Sequence, residues 1–177
     1  MNQFVEPLIL GGRGRKKLAR LRPWVVLATP AAAILFRVYV PLFAPLLGYL
    51  ELPLLMVVYL AFSRRGEISG MLIGASIGLV QDCLSAHPIG IFGIVKTLVG
   101  YLAGTLAARL DTEHPAIRFG LGCFFFLFHQ LLYWALQRTL LDSAAGLEIP
   151  PLLLATMANG LLAVPLFYLL DKLRDTG

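Results

Sequence analysis

At 177 residues, 58% apolar and only 14% charged, with a mean hydropathy of +0.79, this chain carries more apolar surface than a globule of its size can hide from water. Composition therefore excludes an ordinary soluble domain and places the chain in a lipid bilayer. The formal charge of +5 comes from bases grouped at a few points, a distribution suited to membrane topology rather than to nucleic acid.

Residues 1–23 form a basic segment, expected to be cytoplasmic, with Arg13, Arg15, Lys16, Lys17, Arg20 and Arg22. Because the apolar run after it leads directly into further spans, it reads as an uncleaved signal anchor rather than a secretory leader. Residues 16–22 have the composition of a short basic helix on anionic lipid, worth about 1 kcal/mol per base near the surface. Topological charge alone is the plainer account.

From residue 23 to 63 the only ionisable chain-interior charges are Arg37 and Glu51, and the stretch is about twice the ~20 residues one crossing needs. It must reverse, and Pro41, Pro45 and Gly48 mark the place, giving helices near 24–40 and 48–62. Next come helices near 68–84 and 88–110. On the first of these Gly70, Gly74, Gly78 and Asp82 recur every four residues, and on the second Lys96, Gly100 and Gly104 do the same. Small residues at that spacing form a face for close helix contact, so the two arms are expected to pack through their glycines. Pro88 and Gly90, after Ser85-Ala86-His87, supply the turn between them. Apolar runs near 117–138 and 149–170 complete six spans in a single transmembrane domain, 24–170, and residues 171–177 are a short tail.

Orientation follows from Lys and Arg, which short cytoplasmic loops retain. The N-terminal bases, Arg64 with Arg65, Arg109 with Arg118, and Lys172 with Arg174 all fall on one side of a six-span chain; the opposite loops hold Arg138 alone. Both termini are therefore expected in the cytoplasm. Trp24, Tyr59 and Tyr168 fall near the inner boundary and Tyr49, Tyr133 and Trp134 near the outer one, as an aromatic belt requires. Cys83 and Cys123 lie at different depths, which excludes a disulfide and leaves apolar packing as their use.

Ionisable groups within spans cost about 2.5–3.5 kcal/mol each on insertion scales unless paired or hydrated. Counting about 1.5 Å of rise per residue puts Lys96, His129 and Asn159 roughly 12–15 Å from the outer helix ends, with Arg37 and Asp82 shallower. These five form an outer polar layer, to which the second helix contributes nothing except the nearby Glu51. Either the layer lines a hydrated pocket or partner surface, or its members pair inside the bundle and fix its register. Asp82 falls opposite Gly90 and Lys96 between Gly74 and Gly78, so the lysine reaches Asp82 only by snorkelling about 9 Å; His129 and Asn159 are the nearer candidates.

Catalytic patterns are weak. Gly74-Ala75-Ser76-Ile77-Gly78 has the letters of a hydrolase elbow, but that motif needs a strand-turn-helix, and this one falls within a span. Asp82, Ser85 and His87 are residues that turns favour. No Cys/His spacing suggests a metal and no phosphate-binding loop suggests a nucleotide. The expectation is a protein that is not an enzyme and carries no cofactor.

The hairpin string Gly74-Ala75-Ser76-Ile77-Gly78-Leu79-Val80-Gln81-Asp82-Cys83-Leu84, followed by Pro88-Ile89-Gly90 and Leu98-Val99-Gly100-Tyr101-Leu102-Ala103-Gly104, resembles the bacterial rod-shape-determining MreD family. Pro53, ahead of the second helix, fits as well. The long basic N-terminus and Lys96 depart from the family pattern. The resemblance implies an all-α, six-helix membrane bundle similar in fold to the vitamin-binding S components of energy-coupling-factor transporters. It further implies a non-enzymatic scaffold of the cell-wall elongation machinery in the bacterial cytoplasmic membrane, supporting rod shape and lateral peptidoglycan synthesis. Its expected partners are a single-span MreC-like protein, RodA, a class B penicillin-binding protein, and MreB directly or through MreC, besides membrane lipid. The S-component likeness gives the alternative: a vitamin-like binding or transport subunit whose outward pocket uses Arg37, Asp82, Lys96, His129 and Asn159.

Overall fold

The computed structural model describes residues 23–85, 90–110, 112–140, 146 and 148–173; the basic segment before residue 23, Pro88 in the hairpin turn and the tail after residue 173 lie outside them. Among the described residues the chain forms six α-helices: α1 (Pro23–Tyr39), α2 (Leu52–Arg64), α3 (Glu67–Leu84), α4 (Ile91–Leu106), α5 (Pro115–Leu140) and α6 (Ile149–Lys172). By length and apolar composition five helical segments can cross a membrane, with the second counted over Pro45–Arg64.

The α1–α2 reversal falls where the prolines predict it, as two 3-10 turns at Val40–Leu42 and Pro45–Tyr49. Proline fixes φ and lacks an N–H, so it opens such turns readily. The regular part of α2 consequently starts at Leu52, four residues later than expected, with Pro53 in its first turn. Helix α2 is the centre of the bundle: every residue from Pro53 to Phe62 is buried, as befits a helix that is apolar on all sides. It packs against α1, α3, α4, α5 and α6. At its far end Arg65 takes a left-handed φ of 48° and returns its N–H to the Ala61 carbonyl, a C-cap in which a non-glycine residue bears the strain.

Helix α4 is shorter than expected, sixteen residues, or about 24 Å of rise. Its N-cap is Gly90, at φ 104°, a conformation open to glycine but costly to other residues.

The α3–α4 interface is built on absent side chains. A Cβ on Gly70 would overlap the Gly100 carbonyl, one on Gly74 the Lys96 carbonyl, and one on Gly78 the Phe92 carbonyl; reciprocally, Gly100 faces the Gly70 carbonyl and Gly104 the Gly66 carbonyl. Backbone thus rests on backbone, the closest approach two helices can make. A second such contact, unmarked by any four-residue spacing, joins α5 to α6. There Gly122 lies against Gly160 and Ala163, while Gly160 lies against Phe119 and Cys123.

Candidate functional site: a buried polar cluster and the cavity beside it

Glu51, just before α2, is the hub of a polar cluster. Its place is set by Asn159 of α6, whose Oδ1 accepts the Glu51 backbone N–H at 2.8 Å while its Nδ2 donates to the carbonyls of Tyr49 and Ala155, both at 2.8 Å. One amide thereby satisfies backbone groups that the 3-10 turn leaves unpaired. Arg37, at the end of α1, donates from Nε to Glu51 Oε1 at 2.8 Å. Lys96 of α4, whose side chain is 0% exposed, brings its Nζ to 3.9 Å from Glu51 Oε2.

The same Nζ lies 3.5 Å from His129 Nε2 and 4.6 Å from the centre of the Phe92 ring. The rings of His129, Phe92 and Tyr133 stand nearly parallel, with interplanar angles of 5° to 11°. A buried ammonium between an imidazole, an aromatic face and a carboxylate has much of its lost hydration replaced. Arg37, Lys96, His129 and Asn159 are thus brought together from α1, α4, α5 and α6, and the residue that unites them is Glu51, which the sequence placed only at the margin.

Asp82 stands apart. Its Oδ2 accepts the N–H groups of Gly90 and Gly93 at 3.0 and 2.8 Å, and its Oδ1 accepts that of Phe92 at 3.1 Å. The carboxylate therefore caps α4 from the last turn of α3, where the helix presents unpaired N–H groups and the positive end of its dipole.

Two residues read from depth and charge alone also carry internal contacts: Tyr59 is buried, and Arg118, in the first turn of α5, is a buried ion. Arg118 donates from Nε to the Thr112 carbonyl at 2.7 Å and from Nη2 to Asp171 Oδ2 at 2.5 Å; Tyr59 donates to Asp171 Oδ1 at 3.0 Å. This clamp ties α2, α5 and α6 together at the opposite end of the bundle. Cys83 is exposed and Cys123 partly buried, and both are free thiols; only Cys123 has the packing role expected of it, against Gly160. Ser76, the centre of the elbow-like string, lies within α3 and donates to the Leu72 carbonyl at 2.7 Å.

Beside the Glu51 cluster lies a cavity of about 430 Å³ whose walls include Arg37, Tyr49, Glu51, Gln130, Tyr133, Trp134 and Glu148. It sits at the end of the bundle that carries the α1–α2 and α5–α6 connections. On the flank, α1 and α3 are separated by an apolar groove of about 350 Å³, lined by Val26, Leu27, Pro30, Ala31, Ile34, Leu72, Ile73, Ser76, Ile77 and Val80 among others.

An all-helical bundle of this hydropathy, with Arg37, Lys96, Arg118, Glu51 and Asp171 drawn into internal pairs and many large apolar side chains turned outward, is an integral membrane protein of the multi-helix class. A family model described as rod shape-determining protein MreD matches residues 19–173, nearly the whole chain. The chain belongs to the MreD family. Comparison with curated proteins and with solved structures gives no match. Membership assigns the chain a role in rod shape determination, in a family of shape-determining structural proteins that is not known as enzymatic.

Proposed function

We propose that this protein is an intramembrane scaffold of the bacterial cell-wall elongation complex, set in the cytoplasmic membrane with both termini inside. Its partners are a single-span MreC-like protein, RodA and a class B penicillin-binding protein, with MreB engaged directly or through the MreC-like protein. The observation that carries this reading is where the polar groups go. Glu51, Asp82, Asn159 and Arg118 spend their hydrogen bonds inside the bundle, so the outward surface is mainly apolar helix. Such a surface recognises other membrane helices by shape.

The groove between α1 and α3 suits one helix. Pro30, Ala31 and Ser76 are small and line it, which allows a second backbone to come close. Co-expression of the full chain with a tagged MreC-like protein tests the reading. The wild-type chain co-purifies, whereas a chain carrying Ala31→Leu and Ser76→Leu, with its melting profile retained, does not and fails to restore rod shape. Undiminished capture and rod shape in that folded variant would reject the scaffold as drawn.

A further inference from the structure

We propose that the 430 Å³ cavity beside Arg37 is a binding site for a phosphate-bearing group, with the Arg37 guanidinium as its anchor. This goes beyond partner capture and does not depend on it.

Arg37 gives its Nε to Glu51, which holds the guanidinium in place. Among the described residues its Nη groups make no hydrogen bond or ion pair, and its side chain, 29% exposed, lines the cavity. An oriented guanidinium with free terminal N–H groups matches the geometry of phosphate oxygens. Charge points the same way. Arg37 and Lys96 share one carboxylate, Glu51, while Asp82 is committed to three backbone amides, leaving the cluster with an excess cation. Glu148 sits at the cavity rim but is exposed, where solvent and salt screen it.

The cavity has the volume of an ordinary ligand pocket. Its wall carries Tyr49, Tyr133 and Trp134 beside the Gln130 amide, the aromatic composition of a membrane boundary, where lipid phosphates lie. The phosphate therefore arrives either as a lipid headgroup or as a free ion, and the two sources are separable.

Trp134 serves as the reporter once Trp24, the other tryptophan, is replaced by Phe. The full chain in neutral detergent is titrated with dihexanoylphosphatidylglycerol, with inorganic phosphate, and with dihexanoylglycerol, which has no phosphate. The expected result is saturable change in Trp134 emission with the phospholipid, weakened roughly ten- to hundred-fold by Arg37→Gln. Competition by inorganic phosphate identifies a site for the free ion as well; its absence restricts the site to headgroups. Because Arg37→Gln also removes a partner of Glu51, Arg37→Lys serves as the folded second variant, keeping the charge and losing the fork, and it too binds more weakly. An equal response to dihexanoylglycerol, no saturable response to either phosphate probe, or unchanged affinity in both Arg37 variants would overturn the proposal.

Discussion

Asp82 and Gly93 stand 2.8 Å apart, carboxylate to backbone amide, across the turn from α3 to α4. With the N–H groups of Gly90 and Phe92 on the same side chain, this contact makes the end of one helix the cap of the next. It also sets how far α4 slides along α3, and so which carbonyl each glycine faces.

Removing that cap loosens the hairpin. Asp82→Ala leaves three amides without their acceptor and is expected to cost roughly 2–3 kcal/mol, more than an ordinary N-cap, because the bonds are charge-assisted and partly buried. Asp82→Asn, with one acceptor oxygen, falls between. Thermal melting in detergent, followed by helical circular dichroism, gives the order wild type, Asn, Ala.

The glycine contacts give a sharper contrast. Gly74→Leu drives carbon into the Lys96 carbonyl, whereas a Cβ on Gly120 meets nothing within 4 Å. Gly74→Leu separates α3 from α4 and abolishes partner capture. Gly120→Ala is neutral or stabilising by up to about 1 kcal/mol. Melting and co-purification measured side by side check both, and capture retained by a stably folded Gly74→Leu chain would refute the link between hairpin and partner.

Within the polar cluster the carboxylate matters more than either base. Glu51→Ala strands Lys96, whose side chain is fully buried, and is expected to cost about 3–5 kcal/mol. Lys96→Met leaves Glu51 with Arg37 and costs less, and the double change Glu51→Ala with Lys96→Met costs less than the sum of the two single changes. A double-mutant cycle on melting free energies reads the coupling.

Orientation is open to direct labelling. With the outer-inner assignment drawn from the bases, the exposed thiol of Cys83 reacts with an impermeant maleimide on intact cells. A Lys172→Cys substitution in a chain lacking Cys83 and Cys123 reacts only after the membrane is opened. Labelling of residue 172 from outside would invert the topology.

What the sequence discloses and what it conceals divide along a physical line. The glycine faces were legible because their four-residue spacing is a property of one helix, and antiparallel pairing about the turn already put Asp82 opposite Gly90. That Asp82 would take three amides was not, since it depends on the backbone path of the turn. Glu51 stayed at the margin because its role comes from four other elements converging on a helix start, which no local spacing records. Arg118 was hidden by a rule that it also obeys: at the end of a span it satisfies the charge bias whether or not it pairs with Asp171. The Gly122 and Gly160 contact left no run of glycines at four-residue spacing as its signal.

The proposed seating of a partner's transmembrane helix in the groove between α1 and α3 is open to a direct test. A photo-crosslinking side chain placed at Ser76, within the groove, and separately at Leu161, on an exposed face of α6, tests it in living cells. The expected result is a covalent adduct from position 76 that maps to the transmembrane segment of the MreC-like protein, and none from position 161. An adduct from 161 alone, or none from 76 while the partner still co-purifies, would contradict it.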